Sequence, residues 1–338
     1  MNIALIGLGM VADTHVAAIR ASAQNLNLSC VLGRDAGRTR AFADKTGTRV
    51  ADATKDIAQD TSIDFAIVAT PPNARIEIVR ARAASIALKQ AIDAGVLGDL
   101  ATVELRIPWW RNQSYYDAPG RGSFGRDGGG VMISQAIHTL DLAMWLVGPI
   151  ATIQALMRTT PLHHLEAEDW AGALFEFENG VCGSLMASTA AFPGQAESIV
   201  IQGSKAAAHL AFGVLTLHHL DGRTEELGAN ASTGGGADPM AFTHAWHQSV
   251  IEDFARDPSD QVAIDTALAE VPDQPIGCVG FFAEMAKAIA GLPSDTIHFA
   301  DGTRSVELVT AIYHSARGGG RVKLPIPPDH PLFEGWLP

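Results

Sequence analysis

Cysteine is scarce in this chain: Cys30, Cys182 and Cys278 are its whole complement in 338 residues, and no two form a CxxC pair. A disulfide-stapled scaffold and a cysteine-based zinc site are therefore excluded as organising principles, and the sparse, odd set reads as reduced intracellular thiols. Basic charge is in short supply too, with 24 Lys and Arg against 37 Asp and Glu and a formal net charge of −13. Phosphate affinity needs clustered cations, so no nucleic-acid partner is expected. No run approaches ~18 consecutive apolar residues, the length of a spanning helix. The chain starts on a strand-like segment rather than a basic stretch leading to a cleavage site. The expectation is a cytoplasmic protein with no membrane partner. What the chain has in quantity is apolar residues, 47% of the total, enough to fill the cores of two ordinary domains.

The order of segments points to a doubly wound start. "NIALIG" is short, apolar and closed by glycine, as suits a strand buried on both faces. A helical pattern follows from about Val11 to Ala23, then a second strand, "LSCVLG", a charged helix through Phe42, and a third buried strand, "DFAIVAT", stopped by Pro71-Pro72. Alternation of this kind implies βαβ units and a parallel sheet. From Ala101 the pattern changes to alternating runs. "WAGALFEFENGVCGSLMAS" reads as two strands around a Glu178-Asn179-Gly180 hairpin, and "SIVIQGSKAAAHLAF" as two more around Gly203-Ser204. Residues 227–239 read as a loop, and helices are expected over 131–147, 242–255, 279–289 and 305–316. The fold class expected is α/β: an N-terminal Rossmann dinucleotide-binding domain over 1–98, then a C-terminal α+β domain over 99–338 built on an open, mainly antiparallel sheet.

"GLGMVA" (7–12) sits between the first strand and the first helix. In a dinucleotide site the first glycine bends the chain, the second admits the pyrophosphate and the third small residue lets helix pack on strand. Gly7, Gly9 and Ala12 satisfy this, with the phosphate on the helix N-terminus near Met10 and Val11. The second strand ends Leu32-Gly33-Arg34-Asp35, with Arg38 one turn on. Glycine in place of the usual ribose-binding acid, followed by arginine, favours a 2′-phosphate and so NADP. Asp35 is one or two positions late, and a small backbone shift would let it serve NAD.

On the helix over 131–147, Ser134, His138 and Trp145 share one broad face, and Asp141 lies three residues after His138. Removing a hydride from a secondary alcohol needs an acceptor for the hydroxyl proton, and histidine titrates near working pH. A core histidine bonded to backbone is the competing reading. Asp141 reads as structural. Upstream, "WWRNQSYYDAPGRGSFGRDGGG" interleaves aromatics, arginines and glycines, which suits a sugar ring bearing a carboxylate or phosphate. Arg121, Tyr116 and Ser123 are the candidate contacts, with a plain loop as the alternative. His163 and His164 have no companion ligands at metal spacing and read as loop residues, so no metal is expected.

The combination of "GLGMVA", "VATPPN", "GGGVMISQAIHTLDLAMWLVG" and "EDWAGALFEFENG…LMASTAAFPG" resembles the glucose–fructose oxidoreductase, inositol dehydrogenase and rhizopine-catabolism (Gfo/Idh/MocA) family over nearly the whole chain. The resemblance implies an NAD(P)-dependent dehydrogenase of sugars, nucleotide sugars or cyclitols (EC 1.1.1.-), dimeric or tetrameric through its C-terminal sheet. It implies that His138 is the catalytic or substrate-orienting histidine and that Thr70, Pro71 and Asn73 belong to the cofactor site. It also implies that Ser134 stands where many members carry Asp or Asn, and that His247, in "HAWHQSVIEDF" with His244, reaches the substrate.

One departure is plain. Family members follow "TPPN" with a helix and then a strand carrying "EKP", whose lysine is the main proton-transfer residue. Here the chain runs directly from "NARIEIVRARA" into "ASIALKQAIDAGVLG", so that roughly two strands and a helix are missing near 79–82. Either the protein binds cofactor or sugar without turning it over, as a sensor or regulator, or the natural protein carries a segment absent from this sequence. Stripping two strands from a doubly wound sheet exposes an apolar edge, which favours the second. An intact-mass measurement separates the two.

Overall fold

Short apolar runs stopped by glycine at the chain start form a parallel sheet. The computed structural model describes residues 1–9, 12–21, 26–68, 83–211, 214–227, 284–285, 287–292, 294, 299–318, 320–327, 329–332 and 336. Contacts divide the chain into one unit of Met1–Ala81 with Gln274–Gly302 and a second of Arg82–Asp273 with Thr303–Pro338.

In the first unit, β1 (Asn2–Ile6), β2 (Asn27–Leu32), β3 (Arg49–Val50) and β4 (Phe65–Val68) lie in the order β3-β2-β1-β4. β2 and β4 both run parallel to β1, with Ile6 opposite Leu32 and Val68. Their carboxyl ends therefore finish together, where open α/β sheets bind ligands. α1 (Ala12–Ala21), α2 (Ala36–Thr46) and α3 (Thr54–Gln59) fill the connections. Ile3, Leu5 and Val31 pack against Ala12, Val16 and Ile19 of α1. Ala4 and Cys30, facing the other way, pack with Ala51 and Ile57. Two apolar faces explain why β1 reads as continuously apolar rather than alternating.

The second unit opens with α4 (Ala83–Asp93), which buries Ala84 and Leu88, one helical turn apart. Nine strands follow: β5 (Leu100–Pro108), β6 (Ile150–Arg158), β7 (Trp170–Phe177), β8 (Cys182–Ser188), β9 (Ser198–Gly203), β10 (Ala206–Ala211), β11 (Val214–His219), β12 (Thr224–Leu227) and β13 (Val322–Lys323). Their order is β12-β11-β10-β9-β5-β8-β7-β6-β13. Every pairing is antiparallel except β5 with β8. The expected hairpin is present: Gly180 takes φ 85°, and Asn179 donates to Val147 O and accepts from Val181 N. Strands alternate, with Val103, Leu105, Ile107, Leu185, Ile199 and Ile201 buried and Glu104, Arg106, Leu174 and Gln202 outward. The sequence does not announce β3, α3, β11, β12 or β13.

Between β5 and β6 lie two helical turns, α5 (Gln113–Tyr116) and α6 (Phe124–Asp127), then a π-helical turn over Met132–Ala136 that runs into α7 (Ile137–Val147). The stretch Phe124–Val147 is long and apolar enough to cross a membrane, yet 83% of its most apolar window is buried inside the fold. Its apolar surface is used as core. α8 (Phe299–Gly318) is longer than the expected 305–316. The loop over 228–239, the helix over 242–255, most of that over 279–289, Cys278 and the junction near 79–82 lie outside the described residues.

Candidate functional site

The turn after β1 is built for close approach. Gly7 takes φ 95°, a conformation that L side chains rarely adopt, and its N–H donates to Leu32 O at 2.8 Å. A Cβ on Gly9 would meet nothing within 4 Å. Ala12 is 1% exposed and packed among Ile3, Leu5 and Val16, so a larger residue would push α1 off the sheet. The three positions thus divide the labour as a pyrophosphate site requires: one bends, one leaves space, one packs. The residues present fit a dinucleotide. Met10, Val11, Thr70, Pro71 and Asn73 lie outside the described residues.

The end of β2 has a definite structural logic. A Cβ on Gly33 would lie 2.5 Å from Thr39 Oγ1, so an acid at this position would need Thr39 to move. Asp35 is the N-cap of α2, its Oδ1 accepting from Arg38 N at 2.8 Å. Its carboxylate is thus committed in part to the helix. Arg34 is exposed, and Arg38 Nη2 reaches Leu8 O at 3.5 Å, placing a guanidinium beside the glycine turn.

In the second unit the glycine triplet before His138 is a packing junction. Gly128 closes α6 in the left-handed region. A Cβ on Gly129 would lie 2.2 Å from Tyr313 Oη, and one on Gly130 would lie 1.8 Å from Glu168 O. The Glu168 carboxylate is buried and accepts from Gly130 N (3.2 Å), Met132 N (3.0 Å) and Tyr313 Oη (2.7 Å). Its oxygens satisfy N–H groups of the first turn leading to His138. Burial pushes its carboxyl pKa above the usual carboxylate range despite these donors, and burial with the Glu168 charge pushes the Tyr313 phenol up.

His138 itself is 6% exposed. The preceding turn is π-helical, Ile137 N donating to Met132 O, which alters the spacing between Ser134 and His138 from that of a regular α-helix. Ser134 Oγ donates to Gly130 O at 2.6 Å. Asp141 is fully buried and accepts from Ser305 Oγ at 2.8 Å, tying α7 to α8 as its structural reading implied.

The loop after β5 carries the other candidates. Tyr116 Oη is 2.5 Å from Thr189 Oγ1, and burial first of all lifts its phenol to about 12. Ser123 caps α6, accepting from Arg126 N and donating to Gly120 O. Arg121 stands over the ring of Tyr115. His163 lies in a loop and is buried there: Nδ1 lies 2.8 Å from Asp169 Oδ2 and Nε2 lies 2.7 Å from Arg111 O, with the His163 and Asp169 side chains buried. Glu168, Asp169 and Tyr313 escaped sequence reasoning, although adjacent acids in an otherwise apolar strand start ("EDWAGAL") were a usable signal. His247 lies outside the described residues. Among the described residues no three His, Cys, Asp or Glu side chains gather as a metal site.

Known proteins resemble this chain in fold and family. No curated protein is a significant sequence match. The WlbA dehydrogenase of Bordetella pertussis, solved with NADH and UDP-GlcNAcA, superposes with a TM-score of 0.70 at 23% identity, covering 97% of this chain and 98% of that one. Levoglucosan dehydrogenase, solved with NADH and levoglucosan, gives 0.73 at 18% identity, covering 96% and 100%. An NAD-binding oxidoreductase from Klebsiella pneumoniae gives 0.72 at 17% identity, covering 97% and 99%. At this identity the likeness shows the fold. The model of the oxidoreductase family's NAD-binding Rossmann fold matches residues 1–87, and the GFO/IDH/MocA C-terminal domain model matches 86–209. The chain belongs to the Gfo/Idh/MocA family of oxidoreductases, with a Rossmann NAD-binding domain at its N-terminus.

Proposed function

We propose that the protein is an NAD(P)-dependent dehydrogenase that moves a hydride between the nicotinamide and a secondary alcohol of a sugar, nucleotide sugar or cyclitol. The observation that carries this reading is the glycine turn, bent at Gly7 and open above Gly9, in a chain of an oxidoreductase family. The sugar ligands of WlbA and levoglucosan dehydrogenase support the substrate class. When bound, the dinucleotide supplies the hydride carrier.

The protein's residues bind, orient and move the proton. Gly7, Gly9, Met10, Val11 and Ala12 hold the pyrophosphate, and Thr70, Pro71 and Asn73 complete the cofactor site. Arg34 and Arg38 take a 2′-phosphate, so that NADP is preferred, Asp35 being committed to its helix cap. His138 orients the reacting hydroxyl and accepts its proton, and Arg121, Tyr116, Ser123, Ser134 and His247 contact the substrate. Cofactor binding is assigned to residues 1–98, substrate binding and assembly to 99–338. The protein works in the cytoplasm as a dimer or tetramer.

A catalytically silent sensor on the same fold is the second reading, favoured by one observation: the sequence has no EKP lysine. Calorimetric titration with NADP and NAD, followed by the appearance of reduced nicotinamide with a panel of sugars and cyclitols, separates the readings. Binding with turnover supports the dehydrogenase, binding without turnover across the panel supports the sensor, and no binding of either dinucleotide removes both.

A further inference from the structure

Two guanidinium groups converge on one tyrosine in the loop after β5. Arg111 stands 5.4 Å and Arg121 4.6 Å from the centre of the Tyr115 ring, and Arg111 is also 5.1 Å from the ring of Trp109. The backbones that carry them are fixed. Arg111 N donates to Thr189 O at 2.8 Å, and its carbonyl faces the buried ring of His163. Arg121 precedes Gly122, whose φ is 69° and whose carbonyl accepts from Ala167 N at 3.0 Å. The next residue along, Glu168, holds Gly130 and Met132 at the start of the His138 helix. The arginine pair and that helix are thus anchored on one segment.

The charge of Arg121 is loosely matched among the described residues. Among the described residues the carboxylate paired with Arg121 is Asp127, at 3.9 Å, too far for a hydrogen bond, and the same oxygen accepts from Gly122 N at 2.8 Å. Arg126 draws on the other oxygen at 3.6 Å. Arg121 Nε is buried and has no hydrogen-bond partner among the described residues. A buried donor without an acceptor is costly, and two like charges over one ring repel. An anion carrying several acceptor oxygens, meeting the exposed part of the Arg121 guanidinium, relieves the repulsion, and the adjoining aromatic rings suit the C–H face of a sugar.

We propose that Arg111 and Arg121, with Tyr115 between them in the sequence, form the recognition site for an anionic group, carboxylate or phosphate, carried by the protein's sugar-like ligand. The Tyr116 hydroxyl is bonded to Thr189 and does not read the anion. The proposal rests on the sugar-ligand reading above and sharpens its substrate class, but it does not require turnover.

The test is calorimetric binding of glucuronate, glucose 6-phosphate and glucose to the full chain, with NADP present. At least one of the two anions should bind more tightly than glucose by roughly ten- to a hundredfold, the worth of charge-assisted bonds, and the stronger of the two identifies the chemistry. Arg121→Gln should erase that preference, and Arg121→Lys, which keeps the charge but not the fork, should retain part of it. Circular dichroism of both variants checks the fold. Equal binding of all three compounds, absence of binding by either anion, or a preference that survives Arg121→Gln would overturn the proposal. Failure of the wild type to bind either NADP or NAD would count against the dehydrogenase reading instead, so the two failures are distinct.

Discussion

At the residue scale, a glycine matters to function where a side chain would meet a ligand rather than the protein. Gly9 is such a position, since a Cβ there touches nothing. Gly9→Asp should therefore leave thermal stability near that of the wild type while placing a carboxylate against the phosphates and abolishing dinucleotide binding by calorimetry. Unchanged affinity would remove this turn from the cofactor site. Arg34 tests cofactor choice. If it meets a 2′-phosphate, Arg34→Ala weakens NADP binding more than NAD binding, and a charge-assisted bond of about 1.5–3 kcal/mol moves the ratio roughly ten- to a hundredfold. Equal losses for both would assign the ribose to another group. His138→Asn should cut turnover by about 10²–10⁴, the range for a positioned acid–base group, with cofactor affinity intact. A core histidine would behave oppositely, losing stability while each folded molecule kept its rate. The glycine turn and the helix that carries His138 were legible because each is a local pattern. The cap role of Asp35 was not, because Asp serves ribose and helix N-terminus alike and only the distance to Arg38 N separates the uses.

At the scale of elements, the helix over 131–147 was readable from its apolar character, but its π-helical turn was not. That turn begins where Glu168, 36 residues on, accepts from Met132 N, and no local propensity encodes such a partner. The same holds for Gly129 and Gly130. Their spacing looks like a flexible loop, yet each is glycine because Tyr313 or Glu168 occupies the space of a Cβ. Glu168→Gln tests the junction. It replaces one acceptor with a donor facing donors, so it should cost about 1–3 kcal/mol of stability. The loss should depend on pH with a definite sign. Burial holds the folded carboxyl pKa above its ordinary value, so the stability this group contributes is full below the unfolded pKa and declines as pH rises through the folded one. Thermal melts of the two proteins should show the wild-type advantage greatest at acid pH and shrinking as pH rises. A constant gap would mean that Glu168 does not titrate in the folded protein.

At the scale of the whole molecule, the hairpins were legible and the sheet order was not. Asn179-Gly180 announces its own turn, whereas β5 lies between β8 and β9, about 80 and 100 residues away in sequence, a pairing fixed by packing rather than by neighbours. The nine-stranded sheet that results has one face of buried aliphatics and one that alternates to the outside. On the outer face Leu174 is 69% exposed and Leu156 47%, Gly172 lies opposite Leu156, and Met186 lies opposite Gly172. Apolar side chains exposed on a sheet face can meet another copy, and a two-fold pairing of sheets would cover the leucines of both protomers at once. We place the proposed dimer on this face. Leu174→Glu puts a carboxylate on each side of that contact, where two like charges would be desolvated together, so sedimentation velocity at micromolar concentration should show a dimer or tetramer for the wild type and a smaller species for the variant. Since Leu174 faces away from the core, the monomer should keep its fold and its dinucleotide affinity. A wild type that sediments as a monomer, or a variant that keeps the wild-type mass, would place assembly elsewhere.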